Sequence, residues 1–467
     1  MEKEQKLNEN EANDAKFRQE IGVFGGVSII GGIMIGSGIF YLGSYVMQRT
    51  GMSMGLSLLC WIIGGLISLL GGLCFAELGA SRPVAGGMVV YLNEAYHPVV
   101  GFMYGFGSWL ISGAGSISAV AIALPTALRA FFDLSDIAIK AIAIGLIVML
   151  TAYNYFGVKK GSILQNLSMI AKLIPIILIM GGALIFGKQT PNLSLIPADG
   201  NTVTFSSIIG MIAFATVATL WAYEGWTNLN TVAEEMKNPK KNLPLSLIIA
   251  IGGITILYTL FNYSIYKVLP HEKVVSMINS GDFYLGTEVA KTIFGNVGGI
   301  IVILGMVVSM FGSLNGMILT FSRTYYAMAE EGHFFKSYKR LHPKYKVPTA
   351  SLIGQCIISV LLVLSRSLDQ LTSMVVFIGM FFNVLCILAV FIYRKRFPSL
   401  DRPYKVWGYP ITVIITVLIF AGLMINTFVE DPVTALIGFI VPALGALVYM
   451  YFDKKNKREA EIKNDTI

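Results

Sequence analysis

Charged residues are scarce in this chain: Asp, Glu, Lys and Arg make up 13% of its 467 residues, whereas 55% are hydrophobic. Soluble domains carry about 25% charged residues, so this composition excludes a soluble globule. Apolar stretches of membrane-spanning length number about 12: roughly 21–47, 54–80, 92–128, 136–156, 162–187, 205–233, 243–269, 295–328, 348–366, 370–393, 409–428 and 432–452. The chain is therefore predicted to be an all-α, polytopic membrane protein.

Cysteine and histidine are also rare, with four of each. The cysteines lie in apolar stretches without the CxxC or Cys/His spacing of metal sites: Cys60, Cys74, Cys356 and Cys386. The histidines lie in or near predicted loops, also without metal-ligand spacing. No Ser/His/Asp or Cys/His arrangement can be assembled at one membrane depth. We therefore expect no enzyme activity, no cofactor and no metal.

A signal peptide is not expected, because residues 1–20 are polar and mixed in charge. The net charge of +8 is unevenly distributed: 26 of the 35 Lys and Arg residues lie in the two termini and alternate loops, and eight lie in the other loops. By the positive-inside rule, both termini are predicted to be cytoplasmic, in a multi-pass protein of the plasma membrane. This pattern argues against nucleic acid as a partner.

The first apolar stretch contains the run Gly36-Ser37-Gly38. Each glycine costs roughly 1 kcal/mol relative to alanine in a helix, so the run predicts a break at bilayer depth. A break is tolerated there only beside a cavity, and its free N–H and carbonyl groups suit a ligand with both charges. The alternative is that these glycines only allow close helix packing.

A second interruption, Trp221 to Trp226, lies in the sixth stretch. Breaks five helices apart are typical of an inverted repeat of five helices, with a binding site at the repeat interface. The predicted segments are a cytoplasmic N-terminal segment, a first repeat, a second repeat, helices 11 and 12, and a cytoplasmic tail: 1–20, 21–187, 205–393, 409–452 and 453–467.

Lys172 is the one basic residue inside a predicted span. An ionisable group there is a functional hypothesis by default, although a lysine can also extend to the membrane surface. Inside the bundle, its ammonium could bond the free carbonyls of the broken first helix and replace a sodium ion. This interpretation makes Lys172 the residue that decides ion coupling.

Four further residues are candidates, three of them in the second break. Glu77, near the end of the second span, is either an interface charge or part of a site. Glu224 lies in the second break and is either a site residue or an acid in a water-filled vestibule. Trp221 and Tyr223 are either ordinary packing or a gate over the substrate.

Four motifs, in this order, resemble the amino acid, polyamine and organocation superfamily: Ile35-Gly36-Ser37-Gly38-Ile39-Phe40, Lys172-Leu173-Ile174-Pro175, Trp221-Ala222-Tyr223-Glu224-Gly225-Trp226 with Glu234-Glu235-Met236-Lys237-Asn238-Pro239, and Ser322-Arg323-Thr324-Tyr325-Tyr326-Ala327-Met328-Ala329-Glu330. The resemblance runs from about residue 18 to 450. Within the superfamily the chain is most similar to the L-type amino acid transporter family and its bacterial serine/threonine exchanger relatives.

The resemblance implies the leucine-transporter fold, with 12 helices, a 5+5 inverted repeat and discontinuous helices 1 and 6. It implies substrate carboxylate binding by the amides of Ser37, Gly38 and Ile39. It implies ammonium binding by the carbonyls of Met34, Trp221 and Glu224. Trp221 would be the lid, where the family commonly has Phe, and the cation-substituting group would comprise Lys172, Ser309 and Ser313.

Animal members of the family pair with a glycoprotein through a cysteine between spans three and four. The corresponding loop, residues 129–136, contains no cysteine. The resemblance therefore implies a transporter without a heavy-chain partner.

The predicted function is sodium-independent exchange of small neutral L-amino acids by alternating access. A proton-coupled symporter, in which Lys172 or Glu224 exchanges a proton, remains the alternative mechanism. A transport-inactive amino acid sensor is the alternative from another class, although no regulatory domain is apparent. A channel is disfavoured because neither break carries rings of charges or repeated carbonyl loops.

Overall fold

The computed structural model describes residues 17–36, 38–130, 132–197, 204–365, 368–430 and 432–464. Within these ranges the regular secondary structure is helical, with two isolated β-bridges in addition. The α-helices, α1 to α18 in chain order, are Val23–Met34, Gly38–Arg49, Met54–Ser81, Met88–Ala95, Pro98–Gly107, Gly113–Ala127, Asp136–Tyr155, Val158–Phe186, Phe205–Ala222, Asn228–Thr231, Pro239–Val268, His271–Asn279, Leu285–Phe294, Asn296–Glu330, Thr349–Ser365, Leu368–Arg396, Ile411–Glu430 and Pro432–Asn464.

The helix boundaries follow local capping chemistry. Ser53 caps α3 by accepting a hydrogen bond from the Leu56 amide, and Ser135 caps α7 in the same way. Pro98 occupies the start of α5, where its missing N–H leaves no hydrogen bond unmade. A π-helical segment, Ser108–Ser112, joins α5 to α6. The predicted stretch 92–128 is thus one apolar run but more than one helix.

Nine helices in the described part of the chain are long and apolar enough to cross a membrane, if Pro98–Ala127, which comprises α5, the π-helical segment and α6, is counted as one. The pair α1 and α2, which meet at an angle of 53°, make a tenth span if they are counted together. Two shorter apolar helices, Thr349–Ser365 and Ile411–Asn426, were also predicted as spans. These helices confirm a multi-pass, all-helical membrane protein.

Helix α8 shows how the bundle sorts its side chains. Ile170, Ile174 and Ile177 on one face are about half exposed, as expected of a lipid-facing surface. Lys172, on another face, has no exposed surface. The lysine therefore points into the bundle and does not extend along α8 to the membrane surface.

The end of the bundle that carries Arg323 and Glu77 contains two ion pairs between helices; we call it the basic end. The Arg323 guanidinium donates to both carboxylate oxygens of Glu235, at 2.6 and 2.9 Å, and neither side chain is exposed. The Glu20 and Ile21 amides donate to the Glu235 carbonyl, both at 3.0 Å. Arg323 and Glu235 thereby tie the start of α1 to α14.

A second ion pair lies at the same end. Arg394 of α16 donates to both carboxylate oxygens of Glu77 in α3, at 2.8 and 2.6 Å, and the Val406 amide donates to the same carboxylate at 2.6 Å. Glu77 is therefore a structural anchor between α3 and the segment after α16. None of these contacts brings it to the breaks.

The Glu235→Gln variant should lower stability strongly, because it leaves the Arg323 guanidinium buried without its counter-charge. Breaking one partner of a buried ion pair typically costs about 3–5 kcal/mol. The measurement is the apparent melting temperature of the detergent-solubilised protein. The matched control is Asp136→Asn, because Asp136 and its partner Arg129 are both exposed and such pairs contribute about 0–1 kcal/mol. Equal melting temperatures for the two variants would contradict the prediction.

Candidate functional site

The first break separates α1, which ends at Met34, from α2, which begins at Gly38. Ile35 and Gly36 are non-helical, and Ser37 lies outside the described residues. The C-terminal carbonyls of α1 and the N-terminal amides of α2 have no partner within their own helices. The break therefore presents acceptors on one side and donors on the other.

Lys172 satisfies carbonyls on the α1 side of the break. Its Nζ donates to the carbonyls of Gly32 and Ile35, both at 2.7 Å, and to the Ser309 carbonyl at 3.1 Å. An ammonium has three N–H donors, and all three are used. One positive charge thus joins α1, α8 and α14.

Two serine hydroxyls of α14 complete this arrangement. Ser309 Oγ donates to the Ile35 carbonyl and lies 3.3 Å from that of Gly36. Ser313 Oγ donates to the Gly32 carbonyl at 2.7 Å. The three cation-substituting residues of the sequence prediction are therefore brought together around one helix end.

Small residues make room for the buried lysine. A Cβ added to Gly312 would lie 2.8 Å from Ser168 Cβ and 3.3 Å from Lys172 Cε. A Cβ on Gly32 would lie 1.6 Å from Gln165 Nε2. Glycine at these positions lets α1, α8 and α14 approach closely enough for the ammonium to reach backbone oxygens.

The second break lies between Ala222, the end of α9, and Asn228, the start of α10. Gly225 has φ +124°, a conformation that other residues rarely adopt, and its added Cβ would lie 2.5 Å from Ile33 Cγ2. Tyr258 Oη of α11 donates to the carbonyls of Met34 at 2.7 Å and Ala222 at 3.2 Å. One hydroxyl therefore links the two breaks.

A cavity of about 700 Å³ lies against both breaks. Its described lining includes residues from α1, α2, α9 and α14 and from the second break, among them Met34, Gly36, Gly38, Trp221, Glu224, Gly225, Met310 and Ser313. Such a volume is within the usual range for small-molecule sites. The cavity wall therefore includes residues of both helix breaks.

The structure separates the predicted gate residues. Trp221 and Glu224 line the cavity. Tyr223 is fully buried, and its hydroxyl donates to the Trp61 carbonyl at 2.9 Å, away from the described cavity wall. Of these side chains, Trp221 is the one placed to cover a ligand at the break.

The predicted backbone groups are partly engaged with one another. The Met34 carbonyl accepts from Tyr258 Oη and from the Gly36 amide at 2.9 Å. The Trp221 carbonyl accepts from the Glu224 amide at 3.2 Å. Gly38 lines the cavity, and Ile39, next to it at the start of α2, is buried. A ligand ammonium would have to share these carbonyls with their present donors.

Sequence reasoning missed Tyr258 and Asn228. Asn228 begins α10 and lines the cavity, and its Nδ2 donates to the Gly225 carbonyl at 3.2 Å. A tyrosine in an apolar span is ordinary in sequence, so Tyr258 gave no signal. In the sequence, Asn228 comes two residues after the interruption from Trp221 to Trp226. This position beside the break could have indicated that Asn228 lines the site.

The sequence matches a family model described as amino acid permease over residues 21–451. The chain is 30% identical to the serine/threonine exchanger SteT of Bacillus subtilis, over 95% of this chain and 99% of that protein. It is 28% identical to the b(0,+)-type amino acid transporter 1 of Homo sapiens, over 96% and 91%. It is 30% identical to the cystine/glutamate transporter of Homo sapiens, over 94% and 87%.

The Gly38→Val variant should abolish ligand binding in the cavity while the protein still folds. The new Cβ would lie 2.8 Å from Leu42 Cδ1, the end of a flexible side chain, and the valine would add bulk to the cavity wall at the start of α2. The measurement is binding of radiolabelled amino acids to purified protein, with size-exclusion chromatography to check folding. Gly145→Val is the matched control, because nothing lies within 4 Å of an added Cβ there. Unchanged binding by Gly38→Val would indicate that this glycine only allows close helix packing.

Proposed function

The chain belongs to the amino acid permease family, and from this premise we propose that it exchanges small neutral L-amino acids across the plasma membrane without sodium. Its family and relatives are transporters, not enzymes. The superfamily resemblance of its four motifs is thereby confirmed. The observation that carries the proposal is the Lys172 ammonium bonded to the carbonyls of the broken first helix.

We propose that the bundle has 12 membrane spans. The nine long helices and the α1–α2 pair account for ten, and the shorter apolar helices Thr349–Ser365 and Ile411–Asn426 would add two. The breaks then fall in spans one and six, which supports a leucine-transporter fold. Residues 21–187 and 205–393 would be its inverted repeats, followed by helices 11 and 12 in 409–452.

The orientation of the bundle in the membrane is proposed from the distribution of Lys and Arg residues. The basic end contains Arg323 and Arg394, and the loops and termini predicted on that side hold 26 of the 35 Lys and Arg residues. By the positive-inside rule, we place this end, the segment 1–20 and the tail 453–467 in the cytoplasm. Because the cavity extends toward the opposite end, with Arg49 in its wall, we propose that this is an outward-facing arrangement.

Substrate recognition is proposed to use both helix breaks. The amides of Ser37, Gly38 and Ile39 at the positive end of α2 would hold the α-carboxylate. The carbonyls of Met34, Trp221 and Glu224 would hold the α-ammonium. This division is supported by the position of Gly38 in the cavity wall and by the closeness of the two breaks.

A neutral substrate side chain is favoured by the cavity wall near the breaks. Met34, Val217, Trp221 and Met310 are apolar or aromatic. Lys172, the nearest buried cation, has all its donors engaged by backbone carbonyls. Apart from the Glu224 carboxylate, the described wall near the breaks therefore offers a charged substrate side chain little compensation for its lost hydration. We propose Trp221 as the lid over this region.

The Lys172 group supports sodium independence. A bound sodium ion would neutralise helix-end carbonyls and would have to be released in each cycle. The lysine provides this charge on a covalent tether, assisted by Ser309 and Ser313. Without a co-transported ion, the gradient of one amino acid drives the movement of another. We also propose that the protein acts without a heavy chain, because the loop 129–136 contains no cysteine.

Proton-coupled symport is the second candidate. Its support is Glu224, whose carboxylate borders the cavity, and no basic side chain of the described residues forms an ion pair with it. A carboxylate at a helix break could carry a proton together with the substrate. Exchange remains the favoured mechanism, because Lys172 already supplies the fixed positive charge of the site.

Lys172→Ala should reduce exchange severely. Three carbonyl groups would each lose one donor, and the hydrogen bonds that join α1 to α8 through the lysine would be lost, so that only the serine hydroxyls of α14 would still bond the end of α1. We expect uptake by the unmodified protein to be equal in sodium and choline buffers, and to be lost in the variant. The measurement is radiolabelled uptake into preloaded proteoliposomes. Lys159→Ala, at an exposed position on the same helix, is the matched control and should transport normally.

Exchange should require substrate on both sides and both charged ends of the amino acid. Liposomes preloaded with a neutral amino acid should accumulate label, whereas empty ones should accumulate little. Amino acid methyl esters and N-acetyl amino acids should compete poorly, because each lacks one of the charges that the breaks recognise. The measurement is counterflow with a panel of labelled amino acids. If empty liposomes concentrate substrate under an imposed pH gradient, proton symport replaces exchange.

A further inference from the structure

The cavity continues away from the breaks toward the end of the bundle opposite the basic end. Its wall there includes Tyr41, Tyr45 and Arg49 of α2, with Phe214 of α9. Arg49 is the last residue of α2. At 1.5 Å rise per residue, it lies about 16 Å along the helix from Gly38. A small amino acid held at the break cannot extend that far.

Arg49 is held in a fixed position over an aromatic ring. Its Cζ lies 4.1 Å from the centroid of the Phe214 ring, and its Nη1 donates to the Phe214 carbonyl at 3.1 Å. A guanidinium has five N–H donors in a planar fork. No carboxylate among the described residues lies within ion-pair distance of it. The contact to Phe214 therefore orients the fork and leaves donors for another acceptor.

The charges along the wall are few. Of the described lining residues, Arg49 and Glu224 are the charged ones. Arg49 is also only part-exposed. It therefore attracts a neighbouring anion more strongly than a fully hydrated surface arginine does. A carboxylate entering from the open end meets this cation before it reaches the break.

We propose that Arg49 forms an outer subsite that binds the α-carboxylate of an incoming amino acid before the amino acid moves to the break. The guanidinium fork pairs with the carboxylate in bidentate geometry. Tyr45, whose ring is stacked on Phe283 at 4.4 Å, and Phe214 provide aromatic surface for the amino acid side chain. This subsite rests on the proposed function, because its ligand is the transported amino acid.

The test compares Arg49→Gln, Arg49→Lys and Arg129→Gln. Arg129 is an exposed arginine paired with Asp136, and it is not part of the described cavity wall. KM for a labelled neutral amino acid is measured on each face, with intact cells for the outer face and inverted vesicles from the same cells for the inner face. Substrate release and rebinding at the inner face do not use the outer subsite.

The substitutions at Arg49 are expected to change KM on the outer face of the membrane only. Arg49→Gln should raise the outer-face KM about tenfold without changing the inner-face KM or the maximal rate. Arg49→Lys should retain part of the affinity, because it keeps the charge but not the fork. Arg129→Gln should behave as the unmodified protein. An unchanged outer-face KM, or an equal rise on both faces, would overturn the subsite. Absence of transport by the unmodified protein would instead overturn the proposed function.

Chemical restoration of charge tests the subsite even if Arg49→Gln does not fold. In the Arg49→Cys variant, a membrane-impermeant cationic methanethiosulfonate reagent restores a positive charge at residue 49, and its sulfonate counterpart adds a negative one. The cationic reagent should lower the outer-face KM, and the anionic reagent should raise it. The unmodified protein, treated in parallel, controls for reaction at native cysteines. Equal effects of the two reagents would contradict a carboxylate subsite at this position.

Discussion

The ammonium of Lys172 is the interaction on which the arrangement of the breaks depends. An unsatisfied backbone carbonyl costs several kcal/mol at bilayer depth, so a helix end there requires donors from elsewhere. Lys172 supplies three N–H groups, and Ser309 and Ser313 supply two hydroxyls. The same charge that completes α1 also joins it to α8 and α14. Removing the charge would therefore disturb both the local geometry and the packing of three helices.

A tethered cation has a mechanical consequence that a diffusible ion lacks. An ion can leave its site and release the helices that it joins, whereas Lys172 stays attached to α8 throughout. Its contacts with Gly32 and Ile35 are made to backbone atoms, so they do not depend on the side chains of α1. A movement of other parts of α1 would therefore not require the C-terminal end of α1 to separate from α8. Any conformational change must preserve this connection or replace all of its hydrogen bonds.

The breaks and the lysine could be predicted from sequence because both violate the rules of a membrane helix. Gly36 and Gly38 disfavour helix in an apolar run, and Lys172 is a charge within one. Tyr258 and Arg49 violate no such rule: tyrosine is ordinary in a span, and an arginine at a helix end is expected of an interface. Hydropathy also averages over local geometry, so it could not divide the stretch 92–128 at its π-helical segment. Contacts between distant parts of the chain decide these features.

The basic end must open if the cavity is to reach the other side of the membrane. The buried ion pair at this end determines what opening requires. Arg323 and Glu235 are both fully buried, so separating them in a dry interior would remove their mutual attraction and leave two buried charges without hydration. Opening that admits water hydrates both charges as they separate, so hydration and separation must occur together. Ile21 and Glu20 bond to the segment around Glu235, so the start of α1 should move with that segment. Since the other end of α1 is bonded to Lys172, a rotation of α1 about the lysine would move the start of the helix and keep these bonds.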